Sequence, residues 1–214
     1  MIQAVIFDMD GVIIDSEPYQ SLAFKEVLAG YGLGPFQEAI VQTPGVTTER
    51  NWEAFKERYG ISDSVETLSS RSRAAYVRLI SGRIQARPGA LELISSLKQA
   101  DYRLALASSS IASVKVVVES LKLESQFDVI LRGSDVIRHK PDPEIFLLAA
   151  QKLGVDPAAC VVIEDSAAGV QAAKRAGMKC IATPTASTLD QDVSPADLTL
   201  PSLTQIGLEL IQSI

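Results

Sequence analysis

Residues 4–11 read Ala4-Val5-Ile6-Phe7-Asp8-Met9-Asp10-Gly11. Four apolar residues suited to a strand run directly into two carboxylates placed two apart, and a glycine follows at once. Ending an apolar strand on acids is costly, because like charges held close together cannot both ionise freely. A divalent cation removes that cost. It also divides the labour, since one carboxylate can bind metal and attack an electrophile while the other moves a proton.

Outward from this stretch, apolar runs and helical patterns alternate. Residues 103–108, 128–131, 160–165, 179–182 and 197–200 join 3–8 as short buried strands, nearly continuous in apolar character, as a parallel sheet covered on both faces requires. Segments 89–99, 111–121, 143–153 and 167–176 carry apolar residues at helical spacing, and 202–212 reads as a closing helix. The fold class this implies is α/β: a Rossmann-like, doubly wound parallel sheet with helices on both faces and its ligand at the carboxyl ends of the strands.

Residues 16–86 break the alternation. Segments 18–30, 48–59 and 65–81 read as helices, and no convincing strand lies among them. Asp15-Ser16-Glu17-Pro18 predicts a helix start, with a capping side chain followed by an acid and a proline in the first turn. The expected organisation is a core of residues 1–15 and 87–214 with an all-helical cap, 16–86, inserted after the first strand. Trp52, Phe55 and Tyr59 fall at helical spacing and read as the interior of that insert.

Three further segments carry chemistry. Ala107-Ser108-Ser109-Ser110 closes the strand at 103–107, where a hydroxyl and the backbone N–H groups opening the next helix can cradle an anion or simply cap that helix. In His139-Lys140-Pro141-Asp142-Pro143 the prolines pin Lys140, so one ammonium can face both a phosphate oxygen and the Asp8 carboxylate. His139 is the only histidine in the chain and reads as scaffold. Val161-Val162-Ile163-Glu164-Asp165-Ser166 repeats the motif of an apolar strand running into two acids. Asp8, Asp165 and a backbone carbonyl near Asp10 would serve an oxygen-preferring cation such as Mg²⁺, with Glu164 in or near its coordination shell. Together the four segments outline metal-assisted phosphoryl transfer.

Composition narrows the remaining classes. The 214 residues carry a net charge of −6 and are 47% hydrophobic. That acidity excludes a nucleic-acid surface, so a phosphate must be met by local cations. No apolar run approaches bilayer length, and the N-terminus lacks the pattern of a cleavable signal, so a cytoplasmic protein without membrane contact is expected. The two cysteines, Cys160 and Cys180, lie in strand-like runs and read as small buried apolar residues in a reducing compartment.

In order and spacing these segments resemble the haloacid dehalogenase superfamily, and more narrowly the branch with a helical cap after the first strand, which includes β-phosphoglucomutase and small sugar-phosphate phosphatases. The resemblance spans essentially the whole chain and is looser over the insert. It implies that Asp8 is the nucleophile forming an aspartyl-phosphate, and that Asp10 protonates the leaving alcohol and then activates water. It also implies that Ser108, with Ser109 beside it, and Lys140 hold phosphate, while Glu164 and Asp165 join Asp8 and Asp10 around Mg²⁺. The partner would be a small phosphorylated metabolite, a sugar or polyol phosphate foremost, met by a monomer or weak homodimer.

The insert would choose the leaving group, with Gln20, Lys25, Thr47, Thr48, Arg50 and Asn51 as candidates. A phosphomutase remains the alternative, although mutase-like sequences place a histidine where Gln20 stands and an arginine where Thr48 stands, with Arg50 nearby. Dehalogenases and phosphonate-cleaving relatives lack an acid matching Asp10.

Overall fold

The structure is a computed structural model, and it describes residues 1–33 and 48–214. Thr47 lies outside the described residues. The chain divides into two compact units, Met1–Asp15 with Gln85–Ile214, and Ser16–Ile84.

The first unit is a parallel sheet of β1 (Ala4–Phe7), β2 (Arg103–Ala107), β3 (Val129–Leu131), β4 (Cys160–Glu164), β5 (Lys179–Ala182) and β6 (Leu198–Thr199), in the spatial order β3-β2-β1-β4-β5-β6. Register decides what meets at the carboxyl edge. Phe7 lies opposite Leu106 on one side and Ile163 on the other, so the residues just beyond each partner arrive level with one another. Four strands, β1, β2, β4 and β6, end one residue short of the spans expected from sequence. Just past β1, β2 and β4 stand Asp8, Ser108 and Asp165, whose side chains find partners at the carboxyl edge, while the Asp8 and Ser108 N–H groups still bond the neighbouring strands.

All four residues of β1 are buried. One sheet face packs Ala4, Ile6, Ala105, Ala107 and Val162 against Phe146, Ala149 and Leu153 of α6 (Glu144–Leu153) and Val170 and Ala173 of α7 (Ala167–Arg175). Alanine on both sides of that contact lets the helices approach the sheet closely. The remaining core helices are α4 (Ala90–Gln99), α5 (Ser113–Leu121) and α8 (Leu208–Ser213). Phe7 meets Phe127 edge-on, ring centroids 5.9 Å apart.

The end of the chain departs from the sequence reading. A single helix over 202–212 is replaced by a 3-10 turn, Leu203–Gln205, and then α8. Ile206 and Gly207 adopt extended backbone between them, which stops helical propagation. Gly89 opens α4 at φ +86°, and a Cβ there would sit 2.7 Å from Thr204 N, so this glycine lets the terminal segment lie against the helix start.

The helical unit comprises α1 (Glu17–Ala29), α2 (Thr48–Tyr59) and α3 (Val65–Ile80). Phe24, Leu28, Trp52, Phe55, Ile61 and Leu68 form its interior, and the Phe24 and Trp52 rings lie 4.8 Å apart. Buried Trp52 satisfies its indole N–H on Ser72 Oγ at 2.9 Å. Ser64 caps α3 by accepting from Thr67 N. Ser16 does not cap α1 as its position suggests: its backbone is already helical, and its hydroxyl accepts instead from the Gln20 amide at 3.1 Å. Arg71, Arg73 and Arg78 are exposed, each paired with an acid: Asp63, Glu49 and Glu26.

The chain leaves and rejoins the first unit through bonded backbone. Ile14 bridges Ala86 in antiparallel fashion, and Arg87 N–H donates to Ile13 O at 2.8 Å. The core therefore resumes at Gln85, two residues ahead of the boundary read from sequence. Among the described residues no helix is long and apolar enough to cross a membrane.

Candidate active site

Asp8 follows the last residue of β1 and is held in line by its N–H on Ile163 O at 3.0 Å. The chain then turns tightly, and Met9 O accepts from the N–H groups of Val12, Ile13 and Ile14. Gly11 makes the turn possible at φ +79°, and any Cβ there would collide with the Asp165 carboxylate. Glycine is thus required twice over, by backbone conformation and by the closeness of the second acidic strand end.

Lys140 arrives from the loop before α6 with its side chain only 7% exposed. Its ammonium donates to Asp8 Oδ1 at 2.5 Å and Glu164 Oε1 at 2.7 Å, approaches Ala107 O at 3.4 Å, and rests 4.7 Å from the centre of the Phe146 ring. Burial works against that ammonium, but the Asp8 and Glu164 charges outweigh it and raise its pKa. His139 beside it is exposed, and its carbonyl accepts from Asp142 N–H at 3.0 Å.

Glu164 is fully engaged. Besides Lys140 on Oε1, its Oε2 accepts from Asp165 N, Ser166 N and Ser166 Oγ at 2.8–3.0 Å. Gly169 on α7 packs so tightly that a Cβ would overlap the Glu164 carboxyl. Ser166, not Asp165, caps α7, accepting from Gly169 N at 3.1 Å. Asp165 is left to face the site, with Thr188 Oγ1 donating to its Oδ2 at 3.2 Å.

Asp10 Oδ2 accepts from Ser110 Oγ at 2.9 Å, with Ser108 Oγ at 3.4 Å. Ser108 is wholly buried, and its hydroxyl also accepts from Ser110 N at 3.0 Å. The capping roles open to Ser109 and Ser110 are not realised: α5 begins only at Ser113, with Ala112 as its cap and no side-chain bond, and Ser109 is exposed.

Negative charge exceeds positive charge in this pocket. Burial, then the neighbouring Glu164 and Asp10 charges, push the Asp8 carboxyl up to about 8 against the opposing pull of Lys140. Burial and the Glu164 and Asp8 charges likewise raise Asp165 well above the usual carboxylate range. One lysine thus keeps its proton while several acids compete for its single charge. That surplus, carried entirely by hard oxygen donors, fits a divalent cation such as Mg²⁺. Among the described residues no three acidic, imidazole or thiol groups converge into a ready-made chelate. Mg²⁺ typically takes only one or two carboxylates, completing its shell with waters and phosphate.

The core thus gathers Asp8, Asp10, Ser108, Lys140, Glu164 and Asp165 at one sheet edge. Gln20, Thr48 and Arg50 belong to the helical unit: Gln20 bonds Ser16, Thr48 opens α2 and Arg50 is exposed on it. Lys25 is half-buried on α1 and Asn51 is buried on α2. Sequence reasoning missed Ser110 as a partner of Asp10, Thr188 as a partner of Asp165, and Arg87. The Arg87 guanidinium donates to Gly11 O and reaches Thr183 O at 3.5 Å, tying the turn after β1 to the end of β5. Its place in Arg87-Pro88-Gly89 was the one available signal.

A parallel sheet whose central strand runs into Asp-x-Asp, with a buried lysine and a second acidic strand end beside it, is the arrangement of an α/β hydrolase acting on phosphoric monoesters. Residues 5–183 match the model of the haloacid dehalogenase-like hydrolases, and the chain belongs to that family. It is 37% identical to the phosphorylated carbohydrates phosphatase of Thermotoga maritima, over 84% of this chain and 83% of that one. It is 32% identical to the β-phosphoglucomutase of Bacillus subtilis, over 98% and 93% respectively. The crystal structure of CbbY from Rhodobacter sphaeroides in complex with phosphate matches it with a TM-score of 0.86 at 30% identity, over 99% of this chain and 100% of that one.

Proposed function

We propose that the chain is a Mg²⁺-dependent phosphatase that hydrolyses a small phosphorylated sugar or polyol through an aspartyl-phosphate on Asp8. The observation that carries this reading is the Lys140 ammonium, buried and bonded to both Asp8 and Glu164, with Asp10 two residues away and bonded to hydroxyls. Membership of the hydrolase family and the phosphatase among its relatives support it.

An Asp8 carboxylate oxygen attacks phosphorus and the bond to the sugar oxygen breaks, while Asp10 delivers a proton to that departing oxygen. Asp10 then takes a proton from water, which attacks the acyl phosphate and returns Asp8 and inorganic phosphate. Lys140 neutralises phosphoryl oxygens from a fixed position, and Ser108 with the amides that follow it supplies neutral donors. Glu164 holds Lys140 in place. Asp8 and Asp165 would hold the cation, which when bound neutralises charge developing on the phosphoryl group. Substrate selection falls to the helical insert as a cap, with Gln20, Thr48 and Arg50 as its contacts. The unpaired, buried cysteines support a reducing, cytoplasmic setting. A monomer or weak homodimer suffices, since the core residues named here all come from one chain.

The test is phosphate release from a panel of sugar and polyol phosphates with Mg²⁺ and with EDTA. Turnover should require Mg²⁺ and vanish in Asp8→Asn; undiminished hydrolysis by that variant refutes the nucleophile. The second reading, a phosphomutase, draws on the β-phosphoglucomutase relative. It predicts interconversion of β-glucose 1-phosphate and glucose 6-phosphate, which the phosphatase reading excludes.

A further inference from the structure

We propose that Ser110 is a positioning residue for Asp10, fixing which carboxyl oxygen delivers the proton to the leaving group. This rests on the reading of Asp10 as proton donor. Ser110 Oγ donates to Asp10 Oδ2 at 2.9 Å, the shorter of the two serine contacts to that oxygen. An oxygen that accepts from hydroxyl donors is poorly placed to carry the proton, so Ser110 biases the Asp10 proton away from Oδ2. When the P–O bond breaks, that proton passes to the departing alkoxide and the negative charge left on Asp10 is met by the Ser110 hydroxyl.

Ser108 cannot do this alone. Its hydroxyl lies 3.4 Å from Asp10 and is wanted by the phosphoryl group, so substrate draws it away. Among the described residues the Ser110 hydroxyl has no other partner, and α5 is capped at Ala112 without a side-chain bond. The loop that carries it is also fixed. Gly133 N–H donates to Ser110 O at 3.1 Å, and a Cβ on Gly133 would strike Ser109 O, so the backbone at 109–110 lies directly on β3's exit loop. Ser110 therefore meets Asp10 from a preset position.

A proton donor matters in proportion to how poorly the leaving group departs. The experiment compares kcat/KM for 4-nitrophenyl phosphate and phenyl phosphate, with Mg²⁺, in wild type, Ser110→Ala, Ser110→Cys and Asp10→Asn. A lost charge-assisted hydrogen bond corresponds to roughly 10- to 100-fold in rate. The loss in Ser110→Ala should therefore be at least about tenfold larger on phenyl phosphate than on 4-nitrophenyl phosphate. Ser110→Cys, nearly isosteric but a weaker donor, should show a smaller loss with the same selectivity.

Equal losses on both esters, or a change confined to KM, would mean that Ser110 binds phosphate or merely shapes the loop, and would overturn the proposal. Asp10→Asn separates the two levels. If it shows the leaving-group selectivity and the Ser110 variants do not, only the Ser110 proposal falls; if Asp10→Asn lacks it as well, the reading of Asp10 fails first. Should Ser110→Ala not fold, Ser110→Cys decides by the same ratio.

Discussion

Lys140 Nζ lies 2.5 Å from Asp8 Oδ1, and the two side chains are only 7% and 9% exposed. Glu164 completes the contact from the next strand at 2.7 Å. A buried ion pair contributes little net stability against an apolar replacement, but removing one partner leaves an uncompensated charge. Lys140→Met should therefore lower stability by about 3–5 kcal/mol and cut kcat by at least about 10²-fold through loss of a preorganised charge. Chemical denaturation and steady-state kinetics check this. Pairing it with Asp8→Asn should recover part of the stability and none of the turnover, a coupling a double-mutant cycle would report.

Without metal, stability should fall as pH rises. Burial and neighbouring acids push the Asp8 carboxyl of the folded, metal-free chain from its ordinary 3.8 up to about 8, against the pull of Lys140. Between those values the folded state holds a proton that the unfolded state has lost, so the contribution is complete below about 4 and is lost on passing through 8. Thermal melts in EDTA from pH 5 to 8.5 should show Tm declining, with the slope reduced in Asp8→Asn. Mg²⁺ should raise Tm most at the alkaline end, where the acids are ionised.

Gly169→Ala reverses an ordinary expectation. In an exposed helix the change stabilises by up to about 1 kcal/mol. On α7 the new Cβ would occupy the space of the Glu164 carboxyl, whose bonds hold Lys140. We expect a Tm lower by several degrees, about 2–4 °C for each kcal/mol in a chain of this size. The fall in kcat should accompany an intact circular dichroism spectrum.

Thr188→Val removes the hydroxyl on Asp165 Oδ2 while keeping the side-chain shape. Losing a partner that orients a metal-binding carboxylate commonly weakens the ion by about 10- to 100-fold. Calorimetric titration with Mg²⁺ should show weaker binding, and saturating Mg²⁺ should restore most of kcat. Unchanged affinity would remove Thr188 from the site.

Much of this molecule is legible in local sequence because its key residues sit where an apolar run stops. Asp8, Ser108 and Asp165 each follow a buried strand, so the pattern that reveals the strand also exposes the residue after it. Lys140 stands out through its prolines. The partners supplied by tertiary structure are not legible. Thr188 reaches Asp165 from a loop 23 residues downstream with no local pattern. Ser110 lies in a serine run where capping was an equally good reading until α5 started at Ser113. Gly169 looks like a weak spot in a helix until the Glu164 carboxyl is seen against it. Ser16 shows the converse: an ideal capping residue whose hydroxyl was taken by Gln20.

The backbone bonds joining Ile13 and Ile14 to Ala86 and Arg87 bear on how such a molecule can diversify. They fasten together the two points between which some seventy residues are strung, so the sheet does not sense how long that excursion is. Doubling a flexible loop adds only about 0.6 kcal/mol of closure entropy. Natural variation can therefore lengthen, trim or exchange the excursion without disturbing β1, and descendants can acquire new substrates on an inherited reaction centre.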